Sequence, residues 1–222
     1  MPGRFFKVMR ETWLSRTPNA WAALIGGFAT LLLAIGSLIS WSDLFNAADF
    51  MAASRKNVFI DREYWRLWTS LFVHGDEKHL LSNAFLFFIL GSFMHGYFGL
   101  RAFPLAAFFF GGLVNALTLM TMPADVHLIG ASGVVFWLGG AWLVLYAMIE
   151  RGKSVMQRLL RIGGVALLLF MPAEAFDPKV SYKAHFIGFG LGIVWALVYF
   201  WLNRTRFRSA EVVELIHDED DD

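Results

Sequence analysis

Six apolar runs, five of them about as long as a helix that crosses a bilayer, constrain this chain more than any other feature. They are Ala20 to Trp41, Leu80 to Phe98, Ala102 to Met122, Leu128 to Ile149, Leu159 to Pro172 and Tyr182 to Leu202. A spanning helix needs roughly 20 apolar residues at about 1.5 Å each. The fifth run is short and begins in basic sequence, at Arg158 and Arg161. Residues that are 57% hydrophobic, with 23 Phe and 9 Trp, lie far outside the soluble balance. The expected fold class is all-α: a polytopic membrane protein with six transmembrane helices.

The domain organisation follows. Residues 1–19 form a basic N-terminal segment, 20–202 the membrane domain, and 203–222 a tail expected to be disordered, because it ends in the acidic run HDEDDD. Within the membrane domain, residues 42–70 hold too few consecutive apolar residues to span. They place Phe45, Phe50, Phe59, Trp65 and Trp68 among charges, as a membrane-surface loop with short helical pieces does. The basic start resembles a secretory leader, but the run after it is span-length and no A-x-A site closes it, so it reads as an uncleaved first helix. Cysteine is absent, which excludes a disulfide framework, a zinc-thiolate site and a cysteine nucleophile. A net charge of +1 gives no sign of nucleic acid.

Cytoplasmic loops retain positive charge. Placing both termini inside puts twelve of the 19 Lys and Arg residues on the cytoplasmic side, and five of the remaining seven lie between the first two spans. The expected location is the plasma (inner) membrane, multi-pass, with both termini cytoplasmic.

Under this topology spans 2, 4 and 6 enter from the outer face, and each carries its most polar side chains near that entrance. His79 and Asn83, in HLLSN, stand four apart on one helical face. Ser132 falls four residues into span 4 and His185 about three into span 6. Four groups from three helices thus lie at one depth. On span 6, His185, Gly188 and Gly192 share a stripe, and glycines let helices approach closely in lipid. Gly130, Ala131 and Gly133 make a matching small surface around Ser132. A neutral imidazole facing this serine would take the hydroxyl proton as the oxygen attacks a carbonyl, then return it to the leaving amine. The start of span 4, with unpaired N–H groups and a positive dipole end, suits the oxyanion, and His79 and Asn83 offer further donors. Spans 2, 4 and 6 carry no acid to orient His185, so a dyad is expected rather than a triad.

At these residues the chain resembles the rhomboid family of intramembrane serine proteases. The family's Trp-Arg pair matches Trp65 and Arg66 in EYWRLWTSLF. Its histidine and asparagine match His79 and Asn83 in HGDEKHLLSNAF, its G-x-S-G motif matches Gly130 to Gly133, and its A-H-x-x-G-x-x-x-G motif matches Ala184 to Gly192. The motifs fall in the family's order on the expected spans. The resemblance implies Ser132 as nucleophile, His185 as general base, and His79, Asn83 and the Ser132 N–H as oxyanion hole. It also implies a water-filled cavity opening to the outer face and a substrate that is itself a transmembrane helix. One departure is Phe136, where many relatives carry tyrosine; it keeps a ring able to pack against His185 but has no hydroxyl.

Each residue has a plainer reading when taken alone. Ser132 reads as a small packing residue, Asn83 as an interhelical hydrogen bonder, and His79 and His185 as interfacial histidines. Their joint depth weighs against that. Trp65 and Arg66 read as structural, an interfacial ring and a loop-fixing guanidinium. His74 reads as a structural hydrogen bonder, and His127, just before Ser132, as at most a tuner of access. His95 and His217 lie too far away. HGDEKH has the wrong spacing for a zinc protease. The expected partners are transmembrane protein substrates and the lipid bilayer, with no nucleic acid and no cofactor, and the sequence carries no signal for an oligomeric state. A transporter would show polar groups through the bilayer. The rival from another class is a catalytically silent relative that binds membrane helices as a chaperone.

Overall fold

The computed structural model describes residues 5–42, 44–170 and 181–217. In chain order these form β1 (Phe5–Glu11), α1 (Ala22–Trp41), α2 (Ala47–Met51), β2 (Ala53–Ser54), α3 (Arg66–Thr69), α4 (Glu77–Phe98), α5 (Ala107–Leu119), β3 (His127–Leu128), α6 (Ser132–Ile149), α7 (Val155–Phe170), α8 (Tyr182–Leu202), α9 (Arg204–Arg208) and β4 (Val212–His217). Five helical segments are long and apolar enough to cross a membrane: α1, α4, Arg101–Leu119 (which includes α5), α6 and α8. Helices suit this setting because lipid offers backbone groups no other hydrogen-bond partner.

The sixth crossing follows from connectivity. Strands β1 and β4 pair antiparallel, so the described ends of the chain lie together. The Trp13 indole donates to the Tyr97 carbonyl at the end of α4 (2.9 Å), and Arg208 donates to the Met148 carbonyl at the end of α6 (3.3 Å). The ends of α4, α6 and α8 therefore share one face with both described chain ends. The start of α8 lies at the other face, where Lys183 donates to the Thr121 carbonyl beyond α5 (3.2 Å). Between Ile149 and Tyr182 the chain must cross once more. Helix α7, of 16 residues, covers about 24 Å of that path. Arg158 anchors it to the Ala147 carbonyl (3.1 Å) and Arg161 to the Tyr146 hydroxyl (3.3 Å). The expected fifth span ends at residues 171 and 172, which lie outside the described residues.

Helix α6 is the hub. Trp137, Leu138, Ala141 and Leu145 on it are fully buried, and α6 packs against α8 more extensively than any other two elements meet. The small-residue stripe expected on span 6 explains this. A methyl group added at Gly188 would stand 2.1 Å from the Gly133 carbonyl oxygen, and one at Gly192 would stand 2.2 Å from that of Trp137. Only glycine permits backbones this close.

The tail expected to be disordered is ordered from Arg204 to His217. Val212, Val213 and Ile216 favour an extended strand, β1 supplies its ladder, and Arg10 pairs with Glu214 at 2.5 Å. Residues 218–222 of that tail lie outside the described residues.

The first loop is built from the expected short pieces, α2, α3 and single turns around them. Arg66 holds it together while 7% exposed. It pairs with Glu63 (2.5 Å) and donates to the carbonyls of Ala52 (2.9 Å) and Asp49. Phe50 stacks on Trp65 with ring centres 5.9 Å apart, and Trp68 stacks on Phe108 at 6.0 Å. Phe45, Phe50 and Trp65 stay exposed, as an interfacial loop requires.

Candidate active site

Ser132 is the first residue of α6, not four residues beyond the helix start as the apolar run suggested. Leu128 and His127 instead form β3, paired with Ala53 and Ser54 of the first loop. Periodicity cannot mark this boundary, because residues 128–131 are small or apolar in either conformation. The consequence is chemical: as first helical residue, Ser132 presents an N–H that the helix cannot satisfy internally.

The turn before Ser132 is held at three points. The Gly130 N–H donates to the Ser70 carbonyl at 2.9 Å. Gly130 has φ +104°, which L side chains rarely adopt, and an added Cβ would meet His79 Cε1 at 2.8 Å. So the His79 ring lies directly on the backbone two residues before Ser132, and Gly130 is required twice over. The third point is His74, whose Nε2 accepts the Ala131 N–H at 3.3 Å.

His74 is 1% exposed and fills the structural role read for it. Its Nδ1 lies 2.9 Å from Ser37 Oγ on α1. The Ser37 hydrogen is directed to the carbonyl of Leu33 (2.9 Å) or Phe72 (3.1 Å), so the ring nitrogen is the donor. The network thus assigns the neutral Nδ1–H tautomer. Burial, followed by the nearby His79, pulls the His74 pKa from 6.5 to about 3. The sequence showed a histidine five residues before His79, but not that it ties α1 to the Ser132 turn.

His185 sits in the first turn of α8, whose N-cap Ser181 accepts the Ala184 N–H at 3.4 Å. Its ring is 8% exposed and lies flat on Phe136, with centres 4.0 Å apart and planes 9° from parallel. Phe136 is one turn beyond Ser132 on the same face of α6. Gly133 packs against Ala184, so the residues next to Ser132 and His185 are in contact across the seam. The structure thus brings the two onto facing surfaces at one end of the α6–α8 pair. His185 Nε2 is buried and makes no hydrogen bond among the described residues, so no bond to Ser132 Oγ is formed. Catalytic hydrogen bonds often close only when substrate is bound. His79, from α4, lies within electrostatic reach of His185 and completes a three-helix cluster.

Asn83 is buried on the His79 face of α4, and its Nδ2 donates to the His79 carbonyl at 2.9 Å, which leaves its second N–H available. The other histidines lie elsewhere: His95 bonds the Phe103 carbonyl through Nδ1 (2.9 Å), and His127 sits in β3. A cavity of about 260 Å³ lies between α1, α4 and the start of α5, beside Val134 and away from the polar cluster.

A polytopic helical protein with a serine opening one helix and a histidine on the helix packed against it is the arrangement the fold defines. Comparison with known proteins places it: residues 61–202 match the rhomboid domain, and the chain belongs to the rhomboid family. It is 27% identical over 153 residues to "Putative rhomboid protease YdcA" of Bacillus subtilis (strain 168), a match covering 68% of this chain and 72% of that protein. It is 32% identical over 132 residues to "Putative rhomboid protein L523" of Acanthamoeba polyphaga mimivirus, covering 58% of this chain and 71% of that one. "RHOMBOID-like protein 5" of Arabidopsis thaliana is 26% identical over 155 residues, covering 67% and 48%.

Proposed function

We propose that this rhomboid-family protein is an intramembrane serine endopeptidase that hydrolyses peptide bonds in or beside transmembrane segments of other membrane proteins. The observation that supports the reading is the glycine-lined backbone contact of α6 and α8, two helices that carry Ser132 and the buried His185 in their first turns.

Ser132 Oγ attacks the scissile carbonyl carbon as His185 Nε2 takes the hydroxyl proton; the tetrahedral intermediate then expels the amine, which receives that proton. Nε2 suits this role because it has no other hydrogen-bond partner among the described residues. The oxyanion is met by the Ser132 N–H at the α6 start, the His79 ring and the free Asn83 N–H, and such donors are typically worth about 3 to 4 kcal/mol each. With no acid in the dyad, the Phe136 ring holds the imidazole plane by stacking. Water then hydrolyses the acyl-enzyme, with His185 as base again. The site opens toward the face opposite the chain ends, which we take as the outer face of the plasma membrane, with both termini cytoplasmic.

The test is reaction of the purified protein with a fluorescent fluorophosphonate, beside Ser132→Ala and His185→Ala. Labelling of the wild type and loss in both variants is expected. A folded wild type that does not label would shift the assignment to the non-enzymatic, helix-binding rival.

A further inference from the structure

Most arginines on the face of the chain ends have partners. Arg10 pairs with Glu214, Arg151 and Arg208 with Glu211, and Arg158 and Arg161 bond to α6. Like Arg204, which lies over the Trp201 ring, Arg16, Arg101 and Arg206 have neither a carboxylate nor a hydrogen-bond partner for their side chains among the described residues. Arg16, Arg101 and Arg206 come from three distant segments, before α1, between α4 and α5, and in α9, and the fold gathers them around one aromatic cluster.

Its centre is Trp13. The Arg16 guanidinium lies 4.5 Å and that of Arg206 4.4 Å from the centre of the Trp13 ring, so the two charges are at most twice that distance apart. The indole N–H is fixed to the Tyr97 carbonyl, and the Phe207 ring meets the indole edge-on at 5.5 Å. The Tyr199 hydroxyl reaches the Phe98 carbonyl at 3.4 Å and lies within electrostatic reach of both Arg206 and Arg101. Cation–π contact takes up neither guanidinium's N–H donors and does nothing for repulsion between the cations. All three arginines are exposed, and they stand where α4 and α8 end, the level of lipid headgroups.

We propose that Arg16, Arg101 and Arg206 form a binding site for the phosphate of an anionic lipid headgroup in the leaflet on the side of the chain ends. Phosphate accepts from guanidinium forks bidentately and supplies the missing negative charge. The Trp13 ring presets the two forks, and the adjoining Trp201, exposed and beneath Arg204 at 5.0 Å, lies against the acyl chains. The site is independent of the Ser132 chemistry.

Native mass spectrometry of the full chain in detergent, mixed with phosphatidylglycerol or phosphatidylcholine, tests it. The wild type is expected to retain phosphatidylglycerol preferentially. Arg16→Gln/Arg206→Gln should cut that retention roughly ten- to thirty-fold, while Lys153→Gln, an equal-face charge outside the cluster, leaves it unchanged. Should the double variant fail to fold, Arg101→Gln, whose side chain stacks on no ring, should still lower retention several-fold. Equal retention in wild type and arginine variants, or equal retention of both lipids, would overturn the proposal. So would displacement of the lipid by inorganic phosphate alone, since the site would then be one for free anions.

Discussion

The two main helix seams are both lined by glycine, yet they differ in what the glycine touches. At α6–α8, an added methyl at Gly188 or Gly192 meets main-chain carbonyl oxygens at 2.1 and 2.2 Å. At α1–α4, one at Gly26 meets Ser92 Oγ at 2.2 Å and the Phe88 carbonyl only at 3.3 Å. A hydroxyl can rotate away; a helix backbone cannot. That Oγ has no hydrogen-bond partner to lose among the described residues. The α1 side also borders the 260 Å³ apolar cavity lined by Leu33, Leu71, Phe87 and Phe103. So the seam between the helices that carry Ser132 and His185 is stiff, and the seam beside the cavity has slack.

The strongest way to break this contrast is Gly188→Leu. It should push α8 from α6 and abolish fluorophosphonate labelling, with a stability loss of about 3 kcal/mol or more; retained labelling would refute the stiff seam. Asn83→Ala probes the end of α4 nearest the site. Turnover of a transmembrane substrate should fall roughly 100-fold, in kcat rather than KM, and a change confined to KM would remove Asn83 from the oxyanion hole.

His74→Leu tests the strut between α1 and the Ser132 turn. It strips partners from Ser37 and the Ala131 N–H and should cost about 2 to 4 kcal/mol, read from thermal unfolding at neutral pH. The sign of its pH dependence is fixed. With the folded pKa lowered from 6.5 to about 3, the unfolded chain binds the proton first. The strut's contribution is therefore complete above pH 6.5 and is lost as pH falls toward 3. The wild type should lose more stability over that window than His74→Leu, and parallel curves would contradict the assignment. The smallest effect belongs to Gly26→Ala: Ser92 rotates, helix propensity improves, and stability should stay within about 1 kcal/mol of wild type. A loss matching that of Gly188→Leu would erase the contrast.

Much of this was legible in the residues. Five apolar runs became spanning helices, and the Gly188–Gly192 stripe pointed to the tight seam because in lipid close approach depends on small side chains. Arg66 as a loop clamp was readable from its place beside Trp65 in a loop of aromatics. The ordered tail was missed, since β4 is a strand only because β1, some 200 residues earlier in the chain, lies beside it. The start of α6 was missed because the small and apolar residues before Ser132 suit an extended strand as well as a helix.

The sequence by itself determined the spanning helices and the end of each that carries its polar groups, because hydrophobicity and helical period are local properties. Tertiary structure alone decided which stripes meet, how His74 joins α1 to the Ser132 turn, that the chain ends pair, and that Arg16, Arg101 and Arg206 converge on Trp13 and its neighbour Tyr199. Those contacts join residues remote along the chain, and the free energy that selects them belongs to the packed whole rather than to any one segment.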